Sequence, residues 1–291
     1  AANTTMKRIG RLVFTAPMLL SLLAACSGTG KTETPKTAET VTITDNAGRE
    51  VTVPAEVTRV APSGTVATMF LASVCPDYLV CIGSENSDAQ AAYLPKALAS
   101  LPVTGQLYGG KSTINLEALL AAKPQIIIDL GDYKKGMEED LNALQEQVGI
   151  PVVFIQADLE HMAQGFRMLG TLLFNKKERC ETLAAYVEET LHLAAENREK
   201  IAEDDRLRVM YTSGASGLGT NAEGSSQAQV IPLVGARNAI VVEDVTSKGG
   251  GNVNNMEQLY TFDPDIILFT ADSIYADAAE DPAWQKLRAV Q

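Results

Sequence analysis

Residues 115–128, NLEALLAAKPQIII, return at 255–268 as NMEQLYTFDPDIIL. In both copies an asparagine opens the segment, a glutamate follows two places on, and a proline stands seven residues after the glutamate. The copies lie 140 positions apart, Glu117 to Glu257 and Pro124 to Pro264. Asparagine before an apolar run is a helix start, and proline ends a helix because it lacks an N–H and clashes with the preceding turn. Ile126-Ile127-Ile128 and Ile266-Ile267-Leu268 then read as buried strands. Each copy is one helix–turn–strand unit. Two such units far apart predict two α/β lobes of shared topology.

The residues between them predict what joins the lobes. Asp158 to Asp205 carries no strand signal. Leu159, Met162, Ala163, Phe166, Leu169 and Gly170 recur at helical spacing. From Lys176 to Asp204 one helix is expected, with Leu183, Tyr186, Val187, Leu191, Ala194 and Ala195 on its stripe. A helix of that length spans about 43 Å at 1.5 Å per residue. It suits a strut between lobes rather than a connection inside one.

On either side, strands alternate with helices, which implies a parallel sheet covered on both faces. Before the strut come a hairpin (Val41–Thr44, a turn at Asp45–Gly48, Val51–Val53), strands at Thr58–Ala61, Tyr78–Ile82, Ile126–Asp129 and Val152–Ile155, and helices at Val66–Val74, Leu116–Ala122 and Leu141–Val148. After it come strands at Leu207–Thr212, Ala239–Val242 and Ile266–Phe269, with helices at Gln227–Val234, Met256–Tyr260 and Trp284–Val290. A lobe that stops there is expected to be incomplete. The expected division is 1–25, 26–40, 41–157, 158–205 and 206–291.

The first two of those pieces are not body. Lys7, Arg8 and Arg11 precede the apolar run Leu12–Leu23, and Leu23-Ala24-Ala25-Cys26 closes it. That order is a secretory leader, too short to span a bilayer, and its end resembles the bacterial lipobox. The resemblance implies a lipidated Cys26 at a new N-terminus. Residues Ser27–Thr40 are polar and read as a flexible tether. Ala1–Thr5 precede the plausible start Met6. Gly30-Lys31-Thr32 imitates the end of a phosphate-binding loop, but no strand precedes it and no helix follows.

The net charge is −12, and −15 without the three leader cations. Phosphate backbones require a basic face, so nucleic acid is excluded as a partner. No catalytic constellation stands out. Gly214 to Gly219 has its glycines in the order G-x-x-G-x-G, the reverse of a dinucleotide loop. The two histidines, His161 and His192, lie in the strut without ligand-spaced partners, so no metal site is expected. Cys75 and Cys81 flank a strand and can pair in an exported protein; two buried thiols are the favoured alternative.

Several stretches together resemble the periplasmic-binding-protein family that serves iron–siderophore, haem and cobalamin importers. They are Thr44-Asp45-Asn46-Ala47-Gly48-Arg49, Arg59-Val60-Ala61-Pro62-Ser63, Asn115 to Asp129, Gly149-Ile150-Pro151-Val152-Val153, Val234-Gly235-Ala236 with Asn238, Asn255 to Leu268, and Asp281-Pro282-Ala283-Trp284. The resemblance implies two Rossmann-like α/β lobes joined by a single long α-helix, with ligand in the cleft. It implies a binding protein and not an enzyme, acting as a monomer, held outside the cytoplasm at the cell surface or in the periplasm. It would deliver an iron–siderophore or related metal chelate to an ABC importer permease. It also implies that Glu117 and Glu257 grip that permease, one from each lobe. The other function classes are a nucleotide-binding enzyme and an adhesin or sensor lipoprotein.

Ligands of open α/β sheets sit beyond the carboxyl ends of the strands. The residues expected there are Ser63, Gly64, Thr65, Tyr108, Lys111, Tyr133 and Lys134 in the first lobe, and Ser213, Ser216, Asn221, Lys248 and Asn252 in the second. Glycine lets backbone approach a ligand, tyrosine offers a flat face, and the lysines suit an anionic chelate. No resident cofactor is expected.

Overall fold

The computed structural model describes residues 39–109, 113–245 and 251–291; the leader, Cys26, the expected tether up to residue 38, Lys111 and Lys248 lie outside them, and Thr40, expected to end the tether, opens the first strand. The hairpin forms as expected, β1 (Thr40–Thr44) antiparallel to β2 (Glu50–Pro54). Its turn is keyed to the lobe by a buried ion pair. The Asp45 carboxylate accepts from Arg49 Nη1 at 2.8 Å and from the Phe154 amide at 3.1 Å. Arg49 also donates to the Val152 carbonyl at 2.8 Å. Each buried charge is thus paired and hydrogen-bonded, as burial demands.

Then follow β3 (Val60–Pro62), α1 (Thr65–Val74) and the short α2 (Asp88–Ala91). The expected strand at Tyr78–Ile82 makes only single bridges, Leu79 to Val60 and Ile82 to Val103. Next come α3 (Leu116–Ala122), β4 (Ile126–Gly131), α4 (Met137–Val148) and β5 (Val152–Gln156). The sheet is parallel, in the order β3-β4-β5. Alternate residues of β4 serve opposite cores. Ile126 and Ile128 pack with Ala67 and Leu71 of α1, while Ile127 packs with Leu119 of α3 and Met137 and Leu141 of α4. Cys75 and Cys81 fall in those two different cores and are free thiols.

The strut is a helical pair, α5 (Met162–Leu172) and α6 (Lys177–Glu199). Cys180 and Ala184 of α6 are fully buried in the first lobe's core, with Gly170 allowing the close approach of Cys180. Arg167 of α5 pairs with both Glu181 and Glu188. The helix has 23 residues and is about 34 Å long. It ends at Glu199 and not Asp204, and Tyr186 of the expected stripe is 67% exposed. Two causes end it early. Glu203, Asp204 and Asp205 would crowd negative charge at the helix carboxyl end, against its dipole. Arg198 also turns to donate to the Leu233 carbonyl at 3.0 Å, seating the helix end on the second lobe.

The second lobe holds β6 (Arg208–Ser213), β7 (Gly219–Thr220), α7 (Val230–Leu233), β8 (Arg237–Asn238), β9 (Asn252–Val253), α8 (Met256–Phe262), β10 (Ile266–Phe269) and α9 (Asp272–Glu280). Its sheet is mixed. β8 and β10 run parallel to β6, and β7 turns back antiparallel and pairs with β9. The turn uses Gly214 and Gly217, both at positive φ, and a side chain at Gly217 would meet Ile274 at 2.8 Å. The G-x-x-G-x-G pattern is therefore a strand reversal and no nucleotide loop. Pro232 shortens the expected Gln227–Val234 helix to one turn, preceded by a 3₁₀ turn at Ser226–Ala228. Trp284–Val290 is two 3₁₀ turns. The strand expected at Ala239–Val242 lies earlier, at β8.

The duplicated unit matches in detail. Asn115 and Asn255 cap their helices, accepting from Ala118 N at 3.0 Å and Gln258 N at 2.9 Å. Lys123 and Asp263 end them in the left-handed conformation. Leu119 and Leu259 are the fully buried residue of each helix.

Candidate interlobe binding cleft

A cleft of about 960 Å³ opens between the lobes. Asp132, Tyr133, Gln156 and Asp158, at the carboxyl ends of β4 and β5, form its first-lobe wall. Arg198 of α6 also lines it, and Arg206, Glu223, Gln229 and Arg237 line the second-lobe wall. The Leu159 amide donates to Gln229 Oε1 at 3.1 Å, joining the walls directly.

The three arginines lie on the α6 and second-lobe side, beside the acids Glu203 and Glu223. Glu203 bridges Arg206 at 3.2 Å and Arg237 at 3.0 Å, so two guanidiniums share one carboxylate. Arg206 Nε is buried with no partner among the described residues. Opposite, Asp158 pairs with His161 at 2.7 Å, and Asp132 lies 3.5 Å from Lys134. His192 sits on the outer surface of α6, 3.2 Å from Glu196.

Of the expected ligand residues, Tyr133 lines this cleft. Its hydroxyl donates to Glu138 at 2.6 Å, which raises the phenol's pKa and lowers the carboxyl's. Ser63, Tyr108 and Lys134 gather at the end of β4 around a residue the sequence reading passed over, Asp129. The Ser63 hydroxyl donates to Asp129 Oδ1. Asp129 Oδ2 is buried and has no partner among the described residues. Burial raises the Asp129 pKa, and the Ser63 bond and the Lys134 charge oppose that rise. Lys134 Nζ lies 4.7 Å from the Tyr108 ring centre. The Tyr108 hydroxyl donates to Asp140 at 2.8 Å, and burial followed by that bond raises its pKa. Gly64 and Thr65 start α1 beside this group, where Thr65 Oγ1 meets Ser84 Oγ at 3.0 Å. The one available signal for Asp129 was an acid directly after three isoleucines of a buried strand, a position where charge is costly.

The second-lobe residues divide. Ser213 and Asn221 are buried, at 4% and 0% exposure, and belong to the lobe's interior. The Asn221 carbonyl oxygen accepts from Asn238 Nδ2 at 2.9 Å, and its main-chain amide donates to Tyr211. Ser216 is exposed at the β6–β7 reversal, and Asn252 donates to the Asp244 carbonyl at 2.6 Å. Arg198, Arg206 and Arg237 had no motif to announce them, because they come from three separate segments. Glu117 and Glu257 are exposed, each second in its helix.

The family model described as periplasmic binding protein matches residues 71–291. A solved ABC transporter solute binding protein from Sulfurospirillum deleyianum superimposes with a TM-score of 0.76 at 25% identity, covering 86% of this chain and 77% of that one. The periplasmic catecholate-siderophore binding protein of Vibrio cholerae gives 0.62 at 19% identity, covering 86% and 88%; it shares the fold. The vitamin B12-binding protein of Pectobacterium atrosepticum is 28% identical over 129 residues, which are 43% of this chain and 44% of that protein. The match thus spans less than half of that curated relative.

Proposed function

Because the chain belongs to the periplasmic binding protein family, we propose that it is the substrate-binding lipoprotein of an ABC importer and captures a ferric siderophore or related metal chelate. Cys26 carries the lipid anchor, and Glu117 and Glu257 dock the permease. The observation that carries the reading is the cleft of about 960 Å³ between two lobes tied by one helix. That volume is at the upper end of the range for small-molecule sites. Ser63, Gly64, Thr65, Tyr108, Lys111, Tyr133 and Lys134 form the first-lobe side of the site. From the second lobe Ser216, Lys248 and Asn252 contact the cargo, and Arg198, Arg206 and Arg237 hold its anionic groups. Cobalamin is the second reading, supported by the similarity to the vitamin B12-binding protein; haem fits the same scaffold.

A thermal-shift screen of the body from Ser27 tests this. The panel is ferric siderophores, haem, cobalamin, free metals and nucleotides. Ligand at 100 times its Kd adds about 2.7 kcal/mol, visible as a raised Tm. A shift with one chelate identifies the cargo. A shift with a nucleotide, or with no chelate, overturns the proposal.

A further inference from the structure

Both copies of the duplicated unit are held by an arginine that lies outside the repeated stretch. In the first lobe Arg59, just before β3, donates through Nε to the Lys123 carbonyl at 3.0 Å and through Nη2 to the Ala122 carbonyl at 2.5 Å. In the second, Arg208 at the start of β6 donates to the carbonyls of Asp263, at 3.1 Å, and Phe262. These are the same two positions, 140 apart: the helix's last residue and its left-handed cap. The residue after the proline completes each bracket. Gln125 Oε1 accepts the Arg59 amide at 3.0 Å, and Asp265 Oδ2 accepts the Arg208 amide at 2.8 Å. Their own amides return to the Arg59 and Arg208 carbonyls at 2.9 and 2.8 Å.

Physically, a guanidinium on the final carbonyls satisfies orphan acceptors and complements the negative end of the helix dipole. Its fork fixes two carbonyls at once, which a lysine cannot do. Seven-residue helices are otherwise marginal, and each has one fully buried residue, Leu119 or Leu259. The bracket is reproduced even though the surroundings of the two strands differ. What the two units share at the far end is one exposed glutamate in the first turn.

We propose that Arg59 and Arg208 are positioning residues that set the direction of α3 and α8, so that Glu117 and Glu257 are offered to the permease at one fixed separation. This rests on the docking role of the two glutamates. The partner it fits presents two cationic groups at a matching fixed spacing.

The test is a distance measurement by electron spin resonance on the whole chain carrying Glu117→Cys and Glu257→Cys spin labels. One narrow distance distribution is expected. Arg59→Ala and Arg208→Ala should each broaden it at least about twofold, and Arg59→Lys, which keeps charge but loses the fork, should fall between. Amide exchange near Lys123 should speed up in Arg59→Ala while exchange in β4 stays slow, which confirms a folded lobe. An unchanged width in both alanine variants overturns the proposal, as does equal narrowing by lysine and arginine. Cargo uptake in cells separates this from the docking reading. If Glu117→Ala and Glu257→Ala import normally while the arginine variants broaden the distances, the bracket stands and the docking role falls.

Discussion

Ile126-Ile127-Ile128 and Ile266-Ile267-Leu268 are almost the same letters in the same unit, yet they end in different environments. The first three are fully buried. In the second, Ile266 is 39% and Leu268 43% exposed. The inner residues face matching cores, Ile127 fully buried with Leu119 and Ile267 partly buried against Leu259's. The difference is largest on the other face. In the first lobe α1 covers it, whereas Ile266 and Leu268 of β10 join no buried cluster among the described residues. Local letters decide that a strand follows the proline. Neighbours decide how many of its faces are dry.

The largest expected effect tests that contrast directly. Ile128→Ala should destabilise the protein by about 2–5 kcal/mol, the range for emptying a buried aliphatic site. Leu268→Ala should cost no more than about 1 kcal/mol. Equal urea midpoints for the two variants would break the comparison. A smaller effect tests sameness. Asn115→Ala and Asn255→Ala each remove one cap bond and should each cost about 1 kcal/mol. A large inequality in thermal melts would show that the two units are not held alike.

The smallest effect separates the brackets by pH. Gln125 does not titrate, but Asp265 does. The Arg208 amide and the Arg288 guanidinium hold the Asp265 carboxyl below its ordinary value of 3.8. Its contribution is present above that ordinary value and is lost as pH falls through the lower folded value. Asp265→Asn should therefore flatten the acid limb of a stability–pH curve, and Gln125→Glu should steepen it. An acid limb unmoved by Asp265→Asn would remove the charge from the account.

Much of this was legible from the letters. The repeat, the hairpin, Leu116–Ala122 and Ile266–Phe269 follow from spacing, capping and proline, which act within a few residues. The early end of α6 was legible only in part: the acids at 203–205 are in the letters, but the bond from Arg198 to Leu233, 35 positions on, is not. The Tyr78–Ile82 run has strand letters but finds only single bridging partners. The cleft arginines and the Ser63–Asp129 pair needed the chain to be folded before they met. Ser213, which the sequence places just past a strand, is the last residue of β6, and Asn221 follows β7; both are buried.

The cysteines of the body have a practical consequence. Burial pushes the thiol of Cys75 up to about 12 and that of Cys180 up to about 11, and raises Cys81 as well. Only thiolate attacks electrophiles, and a thiol at about 12 is ionised to roughly one part in 10⁵ at pH 7. Cys75, Cys81 and Cys180 are also buried, so both access and ionisation slow their reaction with maleimides and methanethiosulfonates. A cysteine placed on the described surface should react ahead of these three, leaving Cys26 as the other thiol of the sequence to be accounted for.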